Sequence, residues 1–183
     1  FRRVLFRSQH IPAARRHYRF LLPFFPWAIS TLAVSSYDLV ISSSWAVAKG
    51  VTVGGNQVHV CYIHTPIRYA WDMEDEYLHA ANLDRGVRGL VIKALLQWIR
   101  RWDVRSAAGV DTFIANSNFV ANRVQNYYGR TASVIYPPVD TDAFQICNRK
   151  DDFYLTASRL VSYKKVDMII NAFLKTQIGR AHV

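Results

Sequence analysis

An apolar run over residues 58–63 ends at His64, and within it Val58, Val60 and Tyr62 interleave with His59, Cys61 and Ile63. The β-branched and aromatic content favours a buried strand over a helix. Pro66 cannot donate to a ladder and holds Thr65 extended, so the strand stops there and delivers His64 to a loop. Similar runs predict strands at 37–44, closing on Ser42-Ser43-Ser44, at 111–117, closing on Asn116-Ser117, and at 133–136 and 153–157. A helical turn over 45–51 closes at Gly50, and Gly54-Gly55-Asn56 forms a turn. Between the strands the period lengthens. Val87, Leu90, Val91, Ala94, Leu95, Trp98 and Trp102 recur at helical spacing and predict a core-facing stripe, with Lys93, Gln97, Arg100 and Arg101 outside. Ser117 is placed to cap a helix that runs to Tyr128 and ends at Gly129. A last apolar helix spans 166–174.

Strands alternating with helices, each strand ending in polar residues, predict a parallel, doubly wound α/β sheet. Pro137-Pro138 interrupts the alternation. This predicts one Rossmann-like domain over 9–138, a crossing over 139–152 and the start of a second domain over 153–177. Residues 1–8 and 178–183 both match translations of a common sequencing-library adapter, and are expected to be non-native and outside the fold. On that reading the native chain is an internal piece of a longer protein.

Charge and cysteine content then narrow the function. The formal charge is +10 with a pI near 9.9, and setting aside Arg2, Arg3, Arg7 and Arg180 leaves +6, a moderately basic protein that suits an anionic partner. Two cysteines, Cys61 and Cys147, build no disulfide framework, and no CxxC or zinc-like spacing occurs, which favours a reducing cytoplasm. The apolar run at 20–34 is broken by Pro23 and Pro26 and falls short of the roughly 20 residues a membrane span needs. The segment Arg15–Trp27, basic and then aromatic, admits two readings: a face resting on anionic lipid, or a helix pair packed on the sheet. No GxGxxG dinucleotide fingerprint is present.

Several residues are placed to do chemistry. In parallel α/β sheets ligands bind outside the carboxyl ends of the strands, which makes His64 a site candidate, with a satisfied structural histidine as the alternative. The acidic run Asp72, Glu74, Asp75 and Glu76 invites a metal or acid/base reading, but carboxylates in a helix's first turn are also favoured by its dipole. No metal site is expected. Arg159 and Lys164 lie between a strand end and a helix start, where amide groups already favour anions, so the two can clamp a diphosphate, with simply solvated surface cations as the alternative.

Four stretches together resemble the retaining glycosyltransferases of family 4, with the GT-B fold, and among them the bacterial mannosyltransferase-like members of polysaccharide biosynthesis. They are Tyr37-Asp38-Leu39-Val40-Ile41-Ser42-Ser43-Ser44 with Ala46-Val47-Ala48-Lys49-Gly50, and His64-Thr65-Pro66-Ile67-Arg68-Tyr69-Ala70-Trp71-Asp72. The others are Phe113-Ile114-Ala115-Asn116-Ser117 through Tyr136-Pro137-Pro138-Val139-Asp140, and Ser158-Arg159-Leu160-Val161-Ser162-Tyr163-Lys164-Lys165-Val166-Asp167. The resemblance implies two Rossmann-like domains facing a cleft, the first binding acceptor and the second the nucleotide-sugar donor, with no metal and no cofactor. It implies that His64 is catalytic and reaches the transferred sugar, and that Arg159 and Lys164 hold the donor diphosphate. Thr65, Arg68, Asn116, Ser117 and Ser158 would line the cleft. The implied reaction moves a sugar, mannose from GDP-mannose being one candidate, to a lipid-linked or oligosaccharide acceptor with retention. The protein would lie in the cytoplasm or peripherally on the cytoplasmic membrane face. Trp45 stands where related sequences often carry His, and the family's glutamate pair would lie beyond residue 183, so the chain alone is expected to be inactive. Rival readings are a basic module holding nucleic acid or anionic lipid, and a GT-B nucleotide-sugar epimerase.

Overall fold

The computed structural model describes residues 21, 23–72, 74, 78, 86–143, 154–161 and 164–176. The chain divides into two compact units, Phe1–Pro137 and Pro138–Val183. The adapter-like ends, most of the basic segment before Pro23, Cys147 and most of the 139–152 crossing lie outside the described residues.

The first unit holds four parallel strands in the order β1 (Leu39–Ser44), β2 (Val58–Ile63), β3 (Thr112–Ala115) and β4 (Ala132–Val134). Its helices are α1 (Phe25–Ser30), α2 (Gly86–Ala107) and α3 (Asn118–Tyr128). A short 3-10 turn, Ala48–Gly50, follows β1. The register pairs Ser44 with Ile63, Ile63 with Ala115 and Ala115 with Val134, so the carboxyl ends of the strands form one level row. Three further bonds carry the ladder one step past it: His64 N–H to Ser44 O (2.8 Å), Asn116 N–H to Ile63 O (3.4 Å) and Ile135 N–H to Ala115 O (3.0 Å). The mixed α/β architecture with a parallel sheet is the one the sequence pattern predicts.

On one face of the sheet, Cys61, Ile63, Phe113 and Ala115 pack with Ala107, Val110, Val120 and Val124 into a core. On the other, Leu39, Ile41 and Val58 are half or more exposed among the described residues. Helix α3 begins and ends as its sequence dictates. The Ser117 hydroxyl accepts from Val120 N–H at 3.3 Å, and Gly129 closes the helix at φ 64°, a left-handed conformation that costs glycine little.

Helix α2 departs from its predicted orientation. Gly89, Leu96, Ile99, Asp103 and Ala107 are buried, whereas Val87, Leu90, Val91 and Trp98, four residues of the predicted core stripe, face outward. Only Leu95 and Trp102 of that stripe pack partly into cores. The helix carries two stripes, and the one that contains an acid is the buried one, because Lys49 meets that acid. Lys49 and Asp103 are 1% and 0% exposed. The Lys49 ammonium donates to Asp103 Oδ1 (2.5 Å), Asp103 O (2.9 Å) and Ser106 Oγ (2.6 Å), while Asp103 Oδ2 accepts from Trp71 Nε1 (2.9 Å) and the Tyr128 hydroxyl (2.8 Å). Desolvation holds the Lys49 ammonium below its ordinary pKa despite the attraction of Asp103. Burial and Asp103 together push the Tyr128 phenol up.

The second unit contains a 3-10 turn, Thr141–Ala143, and helix α4 (Val166–Thr176). The strand predicted over 153–157 is not formed: residues 154–160 have no regular structure. A strand needs a ladder partner, and the four-stranded sheet belongs wholly to the first unit. Tyr154 instead packs against Phe173 of α4, ring centroids 5.0 Å apart.

Candidate functional site

His64 is the first residue beyond β2, at the level carboxyl edge of the sheet. Its Nε2 lies 2.9 Å from Ser43 Oγ at the end of β1. The Tyr62 ring meets the imidazole edge-on, centroids 5.2 Å apart. From β3, Asn116 Nδ2 donates to the His64 carbonyl at 3.3 Å, and the Ser117 hydroxyl donates to Asn116 Oδ1 at 3.1 Å. Ser43 and Tyr62 thus hold the half-buried imidazole and Asn116 holds the His64 backbone, so that His64, Thr65, Asn116 and Ser117 lie together at the strand ends.

The loop that follows is fastened at several points. Arg123 of α3 donates to Thr65 Oγ1 at 2.7 Å and to Asp72 Oδ2, and the Tyr127 hydroxyl donates to Asp72 Oδ1. That bond to Asp72 raises the Tyr127 pKa. Trp71 stacks on Tyr127 at 4.4 Å and donates to Asp103. Arg100 donates to Ala70 O and to Glu74. Asp72 and Glu74, two members of the acidic run, pair with Arg123 and Arg100, and Glu74 is helical; Asp75 and Glu76 lie outside the described residues. No group of three or more His, Cys, Asp or Glu suited to a metal ion occurs among the described residues. Arg68 is exposed on the loop.

Ser158, Arg159 and Lys164 belong to the second unit. All three are exposed on the segment ahead of α4, where Val161 N–H bonds Arg159 O and Lys164 N–H bonds Val161 O, each at 2.9 Å. Lys165 takes a positive φ of 50° at the helix entrance.

Sequence reasoning missed Ser43, Arg123, and the Lys49–Asp103 pair. A signal for the last existed. Lys49 is the one charged residue of Ala46-Val47-Ala48-Lys49-Gly50, and Asp103 falls in register with Leu96 and Ile99. Arg123 carried none, because an arginine in mid-helix reads as solvated until its partner's loop is placed.

A protein-family model, Glycosyltransferase Family 4, matches residues 2–143. No curated protein and no solved structure matches the chain. The match spans most of the 183 residues, including the whole sheet and the His64 loop. The chain belongs to glycosyltransferase family 4.

Proposed function

We propose that this protein transfers a hexosyl group, with retention and without a metal, from a nucleotide-sugar donor to a lipid-linked or oligosaccharide acceptor, and that GDP-mannose is the donor to test first. A glycosyltransferase domain implies a nucleotide-sugar donor and an acceptor in general. The observation that carries the reading is His64, held by Ser43 and Asn116 at the carboxyl edge of a parallel sheet, where α/β folds place their ligands. In this reading His64 meets the transferred sugar, with Thr65, Arg68, Asn116, Ser117 and Ser158 beside the substrates. Arg159 and Lys164 take the donor diphosphate and neutralise its charge as the glycosidic bond breaks, helped by the amide groups at the start of α4.

The proposed setting is the cytoplasmic membrane face. One observation supports it: Phe24 and Trp27 of the Arg15–Trp27 segment are 62% and 70% exposed. No helix among the described residues is long and apolar enough to cross a bilayer.

The test is sugar transfer by the complete enzyme from radiolabelled GDP-mannose. Arg159→Ala and Lys164→Ala are each expected to lower kcat/KM by about 100-fold. His64→Ala should lower kcat with donor affinity largely kept. Unchanged rate and donor affinity in both cation variants would overturn the diphosphate assignment.

A further inference from the structure

Helix α2 turns its more apolar stripe away from the core. Val87, Leu90, Val91 and Trp98 are 77%, 70%, 62% and 45% exposed, with Ala94 exposed between them. Continued at the same helical spacing, the stripe becomes cationic at Arg101 and Arg105, both exposed. One line along the helix, about 27 Å at 1.5 Å per residue, is therefore apolar for its first three turns and basic thereafter. The only acidic residue of α2 is Asp103, which is buried against Lys49, so the outward stripe presents no negative charge. Beside the basic end lies a surface groove of about 490 Å³ lined by Trp71, Gln97, Arg100, Arg101, Val104 and Arg105.

We propose that this face of α2 docks on an anionic phospholipid surface. Val87, Leu90, Val91 and Ala94 enter the boundary between headgroups and acyl chains, Trp98 sits at that boundary, and Arg101, Arg105 and the groove receive lipid phosphates. Each part has its own chemical reason. Exposed aliphatic side chains gain by leaving water. A tryptophan between an apolar and a charged stretch matches the interfacial preference of indole. The arginine fork matches phosphate oxygens in pairs. A nucleic-acid backbone would satisfy the arginines but offer nothing to Val87, Leu90 and Val91. A second copy of the chain would cover the apolar turns but bring no anion to Arg101, Arg105 and the groove, since the outward stripe carries none. The inference deepens the membrane setting proposed above, moves its centre from Arg15–Trp27 to α2, and does not depend on the sugar-transfer reaction.

The experiment is co-sedimentation of the chain with vesicles of phosphatidylcholine alone, or with about one-third phosphatidylglycerol, read without any activity assay. Binding is expected to the anionic vesicles, weakening with added salt. Arg101→Gln/Arg105→Gln should lower the partition coefficient about 25-fold, near fivefold for each charge. Leu90→Ser/Trp98→Ser should abolish binding with thermal stability unchanged, since both side chains are exposed. Brominated lipid should quench tryptophan fluorescence in the wild-type chain, and much less in Trp98→Phe. Phe24→Ser/Trp27→Ser should keep most of the binding. Equal binding by wild type and both α2 variants would overturn the proposal. So would loss of binding only in the Phe24/Trp27 variant, or a dimer abolished by Leu90→Ser/Trp98→Ser in a chain that ignores vesicles.

Discussion

Adjacent serines of β1 hold two histidines of the same neighbouring stretch, to opposite ends. Ser42 Oγ lies 2.8 Å from His59 Nε2, and Ser43 Oγ lies 2.9 Å from His64 Nε2. His59 is 0% exposed, and its Nδ1 is 3.1 Å from the Gly109 carbonyl. A carbonyl only accepts, so Nδ1 carries the proton and Nε2 accepts from Ser42: the ring is neutral, sealed and fully partnered. Burial lowers its pKa. His64, five residues on, sits half-buried at the strand end. The Ser–His bond is the same in both places, so it cannot by itself mark a site; strand position does. What a Ser–His pair supplies inside the sheet is stability, and at the edge it is orientation.

The sharpest way to break that contrast is to disturb a sealed polar group. Asp103→Ala would strand the Lys49 ammonium in the core and is expected to cost about 3–5 kcal/mol in urea unfolding, whereas Lys49→Met/Asp103→Leu together should cost much less. Next in size is the serine pair. Ser42→Ala should lose about 1–3 kcal/mol, because it leaves His59 Nε2 buried without a donor, while Ser43→Ala should change stability by only a few tenths and act on sugar transfer instead. Equal stability losses would erase the distinction. The smallest effect is in pH. The unfolded chain takes up a proton on His59 near pH 6.5, while the folded ring resists it, so the unfolded state binds more protons and stability falls as pH drops through that value. Thermal melts should show a lower Tm at pH 5.5 than at pH 7.5, with a shallower difference in His59→Asn.

The same contrast explains what the sequence made legible. The four strands of the sheet, the Ser117 and Gly129 caps and His64 at a strand end all depend on residues near one another in the chain, and all were readable there. The orientation of α2 was not. Its two apolar stripes compete, and the tie is broken by Lys49, 54 residues from Asp103 in sequence. Hydropathy counts that aspartate against burial, whereas the fold places its counter-ion in the turn after β1. The missing strand at 154–157 has a related cause, since its alternating residues promise a ladder that only a neighbouring strand can complete. Arg123 was invisible for the same reason as Asp103: its worth lies in Thr65 and Asp72, on a loop whose path no local pattern gives.

Those anchors on the loop have a thermodynamic consequence. Thr65, Ala70, Trp71, Asp72 and Glu74 are each tied to α2 or α3 before any ligand arrives. The entropy of ordering residues 65–72 is therefore lost once, on folding, and at the proposed site those residues would form a rigid rim rather than a closing flap.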